Sequence, residues 1–322
     1  MFLEILEPGM LTTVQDLGRM GSQRLGIPTS GAMDPFALRA GNALVGNAEG
    51  AAGLEITVIG PRVAFSGPCV IAITGADLAP MLDGHPIPNW ESLVVKSGSV
   101  LDFAGLRFGA RAYLAVSGAI AVKPWLASRS TYTMAKIGGY EGRQLQAGDR
   151  LPVGPFEPSM ESTAGVGIPF DRRPPYTDEP TIRVIWGPHA DRFTEEGKKS
   201  FITGSYEITQ SSNRMGYRLE GPKIEHTRGP DIISCGIPLG GIQVPGIGQP
   251  IVLMADHQTT GGYTMIATVI QADIPLVAQC LPGNRLSFRA AGLDEASDAL
   301  WRQRQGLREA LERKESSLWE VE

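Results

Sequence analysis

The segment DHQTTGGYTM, residues 256–265, concentrates groups that can transfer protons and recognise amides. Asp256 can act as a base, and His257 can carry a proton or donate to a developing oxyanion. Gln258 and Thr259 can recognise an amide, and the two glycines leave room for a ligand. The alternative is structural, because a single histidine between an acid and an amide is more often a hydrogen-bonded structural residue. The density of polar groups favours a reaction site.

Two segments that flank this one, NRMGYRLEGP and GGIQVPGIGQP, carry further candidates. Arg214 and Arg218 lie four residues apart in a strand-like segment and are expected to share a face, although pairing with acids is their alternative use. Gln243 and Tyr263 are candidates for binding a substrate. Turn formation is the commoner reason for the glycines of the second segment.

The first half of the chain offers a second set. In GIPTSGAMDP, residues 26–35, small and turn residues lead into a helix N-terminus, which attracts anions. Asp34 as a helix cap is the alternative interpretation, and it leaves Ser30 available to a ligand. Asp77 ends the strand-like ITGAD, where an Asx-turn is the structural alternative. Lys136 lies in a glycine-rich segment that, taken alone, is typical of a surface loop.

Several common motifs are missing. The chain contains no GxxxxGK[ST], GxGxxG, GxSxG or HExxH motif. The nearest two histidines, His226 and His257, are 31 residues apart, and we predict no metal ligands. No Met-Lys dipeptide is present for biotin attachment. If the reaction uses ATP or biotin, another chain is expected to carry it.

Composition limits the class of protein. Of 322 residues, 42% are hydrophobic, which is enough for a sizeable core, and 40 glycines with 24 prolines favour short strands joined by turns. A net charge of -5 without a basic cluster argues against nucleic acid or a membrane as partner. The uncharged stretch 232–255 contains five glycines and three prolines, so a transmembrane helix is not expected. Three widely spaced cysteines fit a reducing cytoplasm.

The order of elements predicts two related β-rich units. Helices are predicted at 34–46 and 293–318, and the other apolar runs are short and bounded by Gly or Pro. Four segments of the first half match the second in order: LEILEPG with IRVIWGP, GRMG with NRMG, ITGAD with LMADH, and GSVLDF with GNRLSF. This makes Asp77 and Asp256 counterparts. The predicted divisions are a first unit at 1–155, a Pro-rich linker at 156–180, a second unit at 181–290 and a C-terminal helix at 291–322.

Five segments also carry a family likeness: EPGMLTTVQDLGRMGSQRLGIPTSGAMD, ITGAD, SRSTYTMAKIGGYEGRQLQAGD, SNRMGYRLEGP and QVPGIGQPIVLMADHQTTGGYTMIATVIQADIPLVAQCLPGNRLSF. Together they resemble the allophanate-hydrolase-subunit-2 family over residues 1–290. Its members are described as biotin-dependent carboxyltransferases, kinase-inhibitor antagonists or C-type subunits of 5-oxoprolinase. The resemblance implies a mainly β fold with two related cyclophilin-like β-barrel units, a few short helices and a C-terminal helix.

A stand-alone chain of this length resembles the 5-oxoprolinase members most. That likeness implies an enzyme subunit, active in complex, that opens the 5-oxoproline lactam to glutamate with ATP and Mg²⁺, the nucleotide-binding chain being left open. The implied partners are a subunit-1-family protein, which is the B-type subunit of 5-oxoprolinase, and the A-type subunit. One alternative is a carboxyltransferase that moves a carboxyl group from biotin on another chain to urea or a similar amide. Another is a non-catalytic protein that antagonises a kinase inhibitor.

Activation of the lactam carbonyl by phosphorylation requires cations and glycine N–H groups for the anions and a carboxylate for the water. The residues expected to act in catalysis are Asp256, His257 and Asp77. The residues expected to bind the substrate are Gln258, Thr259, Tyr263, Gln243, Arg214, Ser30, Asp34 and Lys136.

Overall fold

The structure, a computed structural model, describes residues 1–156 and 159–317. The chain forms two compact units. The first unit comprises Met1–Arg19, Ser30–Pro174 and residues from Arg304 onward, and the second comprises Met20–Thr29 and Pro175–Gln303. One border therefore lies within the Pro-rich segment 156–180, but the second unit also takes a short N-terminal piece.

The described residues of the first unit form eleven strands, two complete helices and the end of a third helix that begins in the second unit. The strands are β1 (Phe2–Glu7), β2 (Leu11–Gln15), β3 (Gly53–Thr57), β4 (Arg62–Phe65), β5 (Cys69–Asp77), β6 (Pro80–Leu82), β7 (His85–Pro86), β8 (Ser92–Val95), β9 (Val100–Phe103), β10 (Phe108–Val116) and β11 (Arg150–Pro152). The helices are α1 (Pro35–Leu44) and α2 (Met160–Thr163).

These strands form two antiparallel sheets around one core. The order is β11-β1-β4-β9-β6-β7 in the first sheet and β2-β3-β10-β5-β8 in the second. Alternate residues of each strand point inward, so Val63 and Phe65 of β4 share the core with Ile71 and Ile73 of β5. Thr74 points to the opposite face of β5 and donates from Oγ1 to the carbonyl of Ala37 in α1 at 2.7 Å.

Helix α1 begins where the sequence predicts it. The Asp34 carboxylate accepts a hydrogen bond from the Ala37 N–H at 2.9 Å, and Pro35 occupies the first helical position, where its missing N–H costs nothing. The chain leaves the helix through Gly46, whose φ of 74° is unfavourable for residues with a side chain.

The second unit contains nine strands. They are β12 (Thr181–Trp186), β13 (Ser205–Ile208), β14 (Gly216–Glu220), β15 (Asp231–Gly236), β16 (Gly241–Gln243), β17 (Ile251–Leu253), β18 (Thr260–Tyr263), β19 (Met265–Val269) and β20 (Arg285–Ala290). Its helices are α3 (Glu195–Thr203), α4 (Ile274–Ala278) and the start of α5 (Leu293–Ser317), which continues into the first unit. Short 3-10 turns lie at Gln23–Leu25, Ala190–Arg192 and Gln271–Asp273, and a further one, Phe170–Arg172, belongs to the first unit.

Seven of these strands close into a barrel in the order β12-β19-β16-β17-β14-β13-β20. Alternation along the strands puts Ile182 and Val184 of β12 inside the barrel with Leu286 and Phe288 of β20. The prediction of a mainly β protein with few helices is confirmed. Among the described residues, no helix has both the length and the apolar character needed to cross a bilayer.

The remaining two strands, β15 and β18, form an antiparallel pair of their own, which we call the ribbon. The β15 strand has no fully buried residue, and Ile233 at its centre is 93% exposed. The ribbon is joined to the barrel through Thr264, whose N–H donates to the carbonyl of Pro230 while the N–H of Val244 donates back to the Thr264 carbonyl. DHQTTGGYTM therefore runs from a turn after β17 into the ribbon and β19.

Candidate functional site

A cleft of about 710 Å³ lies in the second unit, between the outer face of the barrel and the ribbon. Strand alternation directs most of the lining residues of β14 toward it. Gly216, Arg218 and Glu220 line the cleft together with the buried Leu219, whereas Tyr217 is buried inside the barrel. A volume of this size lies within the range of small-molecule sites.

The neighbouring strands continue this outer surface. Register places Ile251 of β17 beside Arg218 on one side and beside Gln243 of β16 on the other. Ile251 and Leu253 contribute apolar wall, and Ile247 extends it in the loop after β16. The cleft therefore combines an apolar wall with a few polar side chains, as ligand sites usually do.

Gln243 is the most deeply placed polar group in this wall. Its side chain is only 3% exposed, and its Nε2 has no hydrogen-bond partner among the described residues. A buried donor left unpaired costs about 1–3 kcal/mol, so a ligand carbonyl at this point would recover part of that free energy. The position therefore suits the oxygen of an amide or a carboxylate.

Gly261 of the ribbon makes space for this amide. A Cβ at Gly261 would lie 2.8 Å from Gln243 Nε2 and 3.1 Å from Gln258 Nε2, which is closer than side chains pack. Two primary amides therefore converge beside the ribbon backbone where no side chain intervenes. Tyr263, two residues further along β18, adds an exposed phenol to the lining.

A second buried group without a partner borders the same cleft. Thr209, in the turn between β13 and β14, carries an Oγ1 that is buried and makes no hydrogen bond with the part of the chain that the structure describes. Its hydroxyl can donate or accept. The cleft thus holds an unpaired amide donor and an unpaired hydroxyl.

Asp256 has a different environment. Arg214 donates to its carboxylate from Nε at 2.8 Å and from Nη2 at 3.0 Å, and both side chains are buried. The Asp256 N–H also donates to the Arg214 carbonyl at 2.8 Å. This bidentate ion pair connects the turn after β17 to the turn before β14. Neither residue is among the described residues that line the cleft.

His257 is also buried. Its Nδ1–H donates to the carbonyl of Gln258 at 2.7 Å, and its backbone N–H donates to Met254. Burial lowers the pKa of His257 below its ordinary value, so the ring is neutral at pH 7. His257 thus contacts the backbone of Gln258, which lines the cleft, and is not itself among the described lining residues.

Thr259 follows Gln258 and is half-buried. Its carbonyl accepts a hydrogen bond from the N–H of Ile237 at 3.1 Å. Of the residues predicted from DHQTTGGYTM and its flanks, the structure brings Gln243, Gln258 and Tyr263 together on the cleft. It places Asp256, His257, Thr259 and Arg214 behind them.

The predicted residues of the first unit have local contacts. Asp34 caps α1, and its N–H donates to the Tyr113 hydroxyl at 2.8 Å. Asp77 accepts the Ala79 N–H at 2.8 Å, as the Asx-turn alternative requires, and meets exposed Arg107 at 3.7 Å. The Asp34 and Asp77 contacts correspond to their structural alternatives.

Ser30 and Lys136 both have a positive φ, 55° and 54°. Ser30 is buried, and its Oγ has no hydrogen-bond partner within residues 1–156 and 159–317, so it keeps the capacity to bind a ligand. Lys136 is exposed in a loop, and its backbone N–H donates to Thr133. The expectation that both bind a substrate stays a prediction.

The cleft residues that the predicted substrate-binding set leaves out include Arg218, Glu220 and Thr209. The alternation in GYRLE was the available signal for the first two, because apolar Tyr217 and Leu219 mark the inner face of the strand and leave Arg218 and Glu220 outside. The expectation that Arg214 and Arg218 share a face was wrong, since β14 begins at Gly216 and Arg214 lies in the preceding turn. Nothing local marked Thr209.

A family described as the carboxyltransferase domain, subdomains A and B, matches residues 25–290. The chain belongs to this family. This membership confirms the resemblance seen in the sequence, and it accounts for a mainly β structure that includes a closed barrel.

Relatives extend the likeness over almost the whole chain. The chain is 41% identical to the C-type subunit of 5-oxoprolinase from Escherichia coli over 298 residues, which are 92% of this chain and 94% of that protein. It is 36% identical to urea amidolyase of Saccharomyces cerevisiae over 305 residues, which are 89% of this chain and 16% of that protein.

A solved structure gives the same result. The urea amidolyase of K. lactis superposes with a TM-score of 0.86 at 32% identity, covering 96% of this chain and 20% of that one. The chain therefore spans a fifth or less of the urea amidolyases that it matches, but nearly all of the bacterial subunit. Each of these relatives is part of an enzyme.

Proposed function

We propose that this chain is a subunit of an ATP-dependent 5-oxoprolinase, in which the cleft of the second unit holds the lactam. The observation that carries the proposal is the buried, unpaired Nε2 of Gln243 beside Gln258, which suits an amide oxygen. Full-length likeness to a 5-oxoprolinase subunit supports the choice of amide. The proposed partners are the A-type and B-type subunits of such an enzyme. The proposed location is the cytoplasm, because three free cysteines fit a reducing compartment.

In this proposal the residues behind the cleft act as supports. His257 holds the Gln258 carbonyl, and the Arg214–Asp256 pair fixes the turn from which Gln258 projects. Preorganised donors of this kind contribute to catalysis because they need no rearrangement when the ligand binds. The lactam carbonyl is then oriented by groups that strand and turn geometry hold in place.

The cleft does not fit a magnesium nucleotide. Arg218 is the only Lys or Arg among its described lining residues, and it lies two residues from the acidic Glu220. In the described part of the chain, no group of three His, Cys, Asp or Glu is placed to hold a metal ion. We therefore assign no phosphoryl-transfer step to this cleft, and the role proposed for it is to bind and orient the lactam.

The test is reconstitution. The chain is co-expressed with A-type and B-type partners, and glutamate released from 5-oxoproline is measured with and without ATP. In the active complex, Gln243→Leu replaces the amide donor with an apolar side chain of similar size. We expect kcat/KM to fall about tenfold or more. Gln303→Leu is the matched control, because its Nε2 bonds the Ala272 carbonyl away from the cleft. If no combination releases glutamate, the proposal fails.

A carboxyltransferase role is the second candidate, and two observations favour it. The family model is that of a carboxyltransferase domain, and the cleft is larger than a single small lactam needs. The extra space suits a second reactant, such as the ureido group of biotin on another chain. Amide carboxylation that is abolished by avidin, in place of glutamate release, would decide for this candidate.

A further inference from the structure

Two oppositely charged side chains line the cleft without a partner in the described part of the chain. Arg218 and Glu220 are separated by one residue on β14, and both point to the outer face of the barrel. Neither forms an ion pair or a side-chain hydrogen bond with the described residues. Alternate residues on a strand are about 6.6 Å apart, so two flexible side chains there can reach adjacent groups on one small ligand.

The neighbours of Glu220 leave its charge uncompensated. Register pairs Glu220 directly with Glu207 of β13, and like charges in that position repel. Arg285 lies 3.5 Å from Glu207 and neutralises that member alone. Glu220 therefore remains an unpaired carboxylate at the cleft, next to another carboxylate, and it would gain from a cation supplied by a ligand.

The neighbours of Arg218 are apolar or neutral. Its cross-strand partner on β17 is Ile251, and its backbone N–H donates to the Ser212 hydroxyl. The guanidinium is thus available to an anion at the same cleft that holds the unpaired Nε2 of Gln243. Arginine pairs with carboxylates through two parallel hydrogen bonds, which gives it selectivity for that group.

We propose that Arg218 and Glu220 recognise the α-carboxylate and the α-nitrogen of an amino acid, so that the cleft binds carboxylated lactams and the amino acid that results from ring opening. This inference rests on the proposed function and specifies its substrate class. Gln243, which lies across Ile251 from Arg218, then faces the far end of the ligand, which is the lactam carbonyl in the substrate and the side-chain carboxylate in glutamate.

The chemistry predicts how the two contacts differ. Ring opening breaks the amide C–N bond, and the oxygen of water bonds to the carbonyl carbon. The nitrogen takes both protons of water and becomes an ammonium, while the α-carboxylate is unchanged. The contact with Arg218 is therefore common to substrate and product, and the contact with Glu220 becomes an ion pair only in the product. Glutamate is expected to bind more tightly than 5-oxoproline.

The test measures binding to the full chain, purified alone, by isothermal titration calorimetry. The ligands are L-glutamate, 5-oxoproline and glutarate, which lacks the amino group. Glu220→Gln is expected to weaken glutamate about tenfold and to leave 5-oxoproline and glutarate within about twofold. Arg218→Gln is expected to weaken all three, because each carries the carboxylate that it contacts.

Two controls match these variants. Glu207→Gln alters the cross-strand neighbour that already has Arg285, and it lies outside the cleft lining. Arg228→Gln removes an exposed arginine of the same unit that is also outside the lining. Both are expected to leave the three affinities unchanged. If a cleft variant does not fold, the difference between glutamate and glutarate on the unaltered chain tests the role of the ammonium directly.

The inference and the proposed function can fail separately. Equal affinity for glutamate and glutarate, or loss of binding in the controls as large as in the cleft variants, overturns the inference even if the complex opens 5-oxoproline. Binding that follows the expected pattern in a complex that releases no glutamate supports an amino-acid site and rejects the oxoprolinase reaction.

Discussion

Replacing Asp256 with asparagine separates a supporting role from a catalytic one. The carboxylate accepts two hydrogen bonds from Arg214, at 2.8 and 3.0 Å, in a buried setting. Asparagine has a single acceptor oxygen, so its amide nitrogen would face an arginine N–H, and the guanidinium would lose its counter-charge. Breaking a buried pair in this way costs about 3–5 kcal/mol. For a unit of this size that corresponds to a fall in Tm on the order of 10 °C.

Thermal unfolding followed by calorimetry measures this effect. Asp298→Asn is the control, because Asp298 is exposed on α5 and lies 3.9 Å from Arg302, where an ion pair contributes little. The double variant Arg214→Met, Asp256→Leu leaves no unpaired charge and is expected to recover much of the lost stability. If Asp256→Asn unfolds within about 2 °C of the parent chain but abolishes turnover in the complex, the carboxylate acts on the substrate and the supporting role is refuted.

Gly261, His257 and Asp34 each make a contact whose loss can be measured. Gly261→Ala places a Cβ 2.6 Å from Ile237 Cδ1 and 2.8 Å from Gln243 Nε2, so binding of 5-oxoproline should weaken in a calorimetric titration. Gly262→Ala is the control, because the nearest atom to its Cβ would lie at 3.4 Å, and it should leave the affinity unchanged. Burial lowers the pKa of His257, so the unfolded chain binds more protons in acid, and the free energy of unfolding should decrease as pH falls below about 6.5. His257→Gln should flatten that decrease in part, since His226 shifts in the same direction. Asp34→Ala removes the α1 cap and should cost about 1 kcal/mol in denaturant unfolding, whereas Asp34→Asn, which still caps, should cost less.

Each of these has a contrary outcome. A Gly262→Ala chain that loses as much affinity as Gly261→Ala would show that the ribbon backbone, and not the space beside the two amides, controls binding. An unfolding free energy that is flat between pH 7 and pH 5 would mean that His257 opens to solvent. An equal loss of stability from Asp34→Asn and Asp34→Ala would place the role of Asp34 in its charge.

The sequence predicts a structural element correctly where residues within one turn of each other determine it. Asp34, Pro35 and Gly46 define the start and end of α1 through capping, a fixed φ and a positive φ, and each of these acts within a single turn. Gly and Pro between short apolar runs likewise predicted a mainly β protein. These signals need no knowledge of what the segment packs against.

The candidate site was predicted less completely because its geometry depends on distant pairing. Nothing near Asp256 indicates that Arg214, 42 residues earlier, will neutralise it. The density of polar residues selected a segment that borders the cleft, but it did not separate Gln258, which lines the cleft, from His257, which is buried behind it. The direction of a side chain in a turn follows from tertiary contacts, so a pattern of residue types cannot assign it.

The segments that match between the two halves of the sequence differ in their strand pairing and in the surroundings of their acidic residues. The first pair of matched segments, LEILEPG and IRVIWGP, forms strands β1 and β12, but β1 pairs antiparallel with β4, whereas β12 pairs parallel with β20. Their acidic corners differ too. Asp77 is half-exposed in an Asx-turn, and its counterpart Asp256 is buried against an arginine. Gln258, two residues after Asp256, lines the cleft of the second unit together with Gln243, and for this reason the site is assigned to that unit.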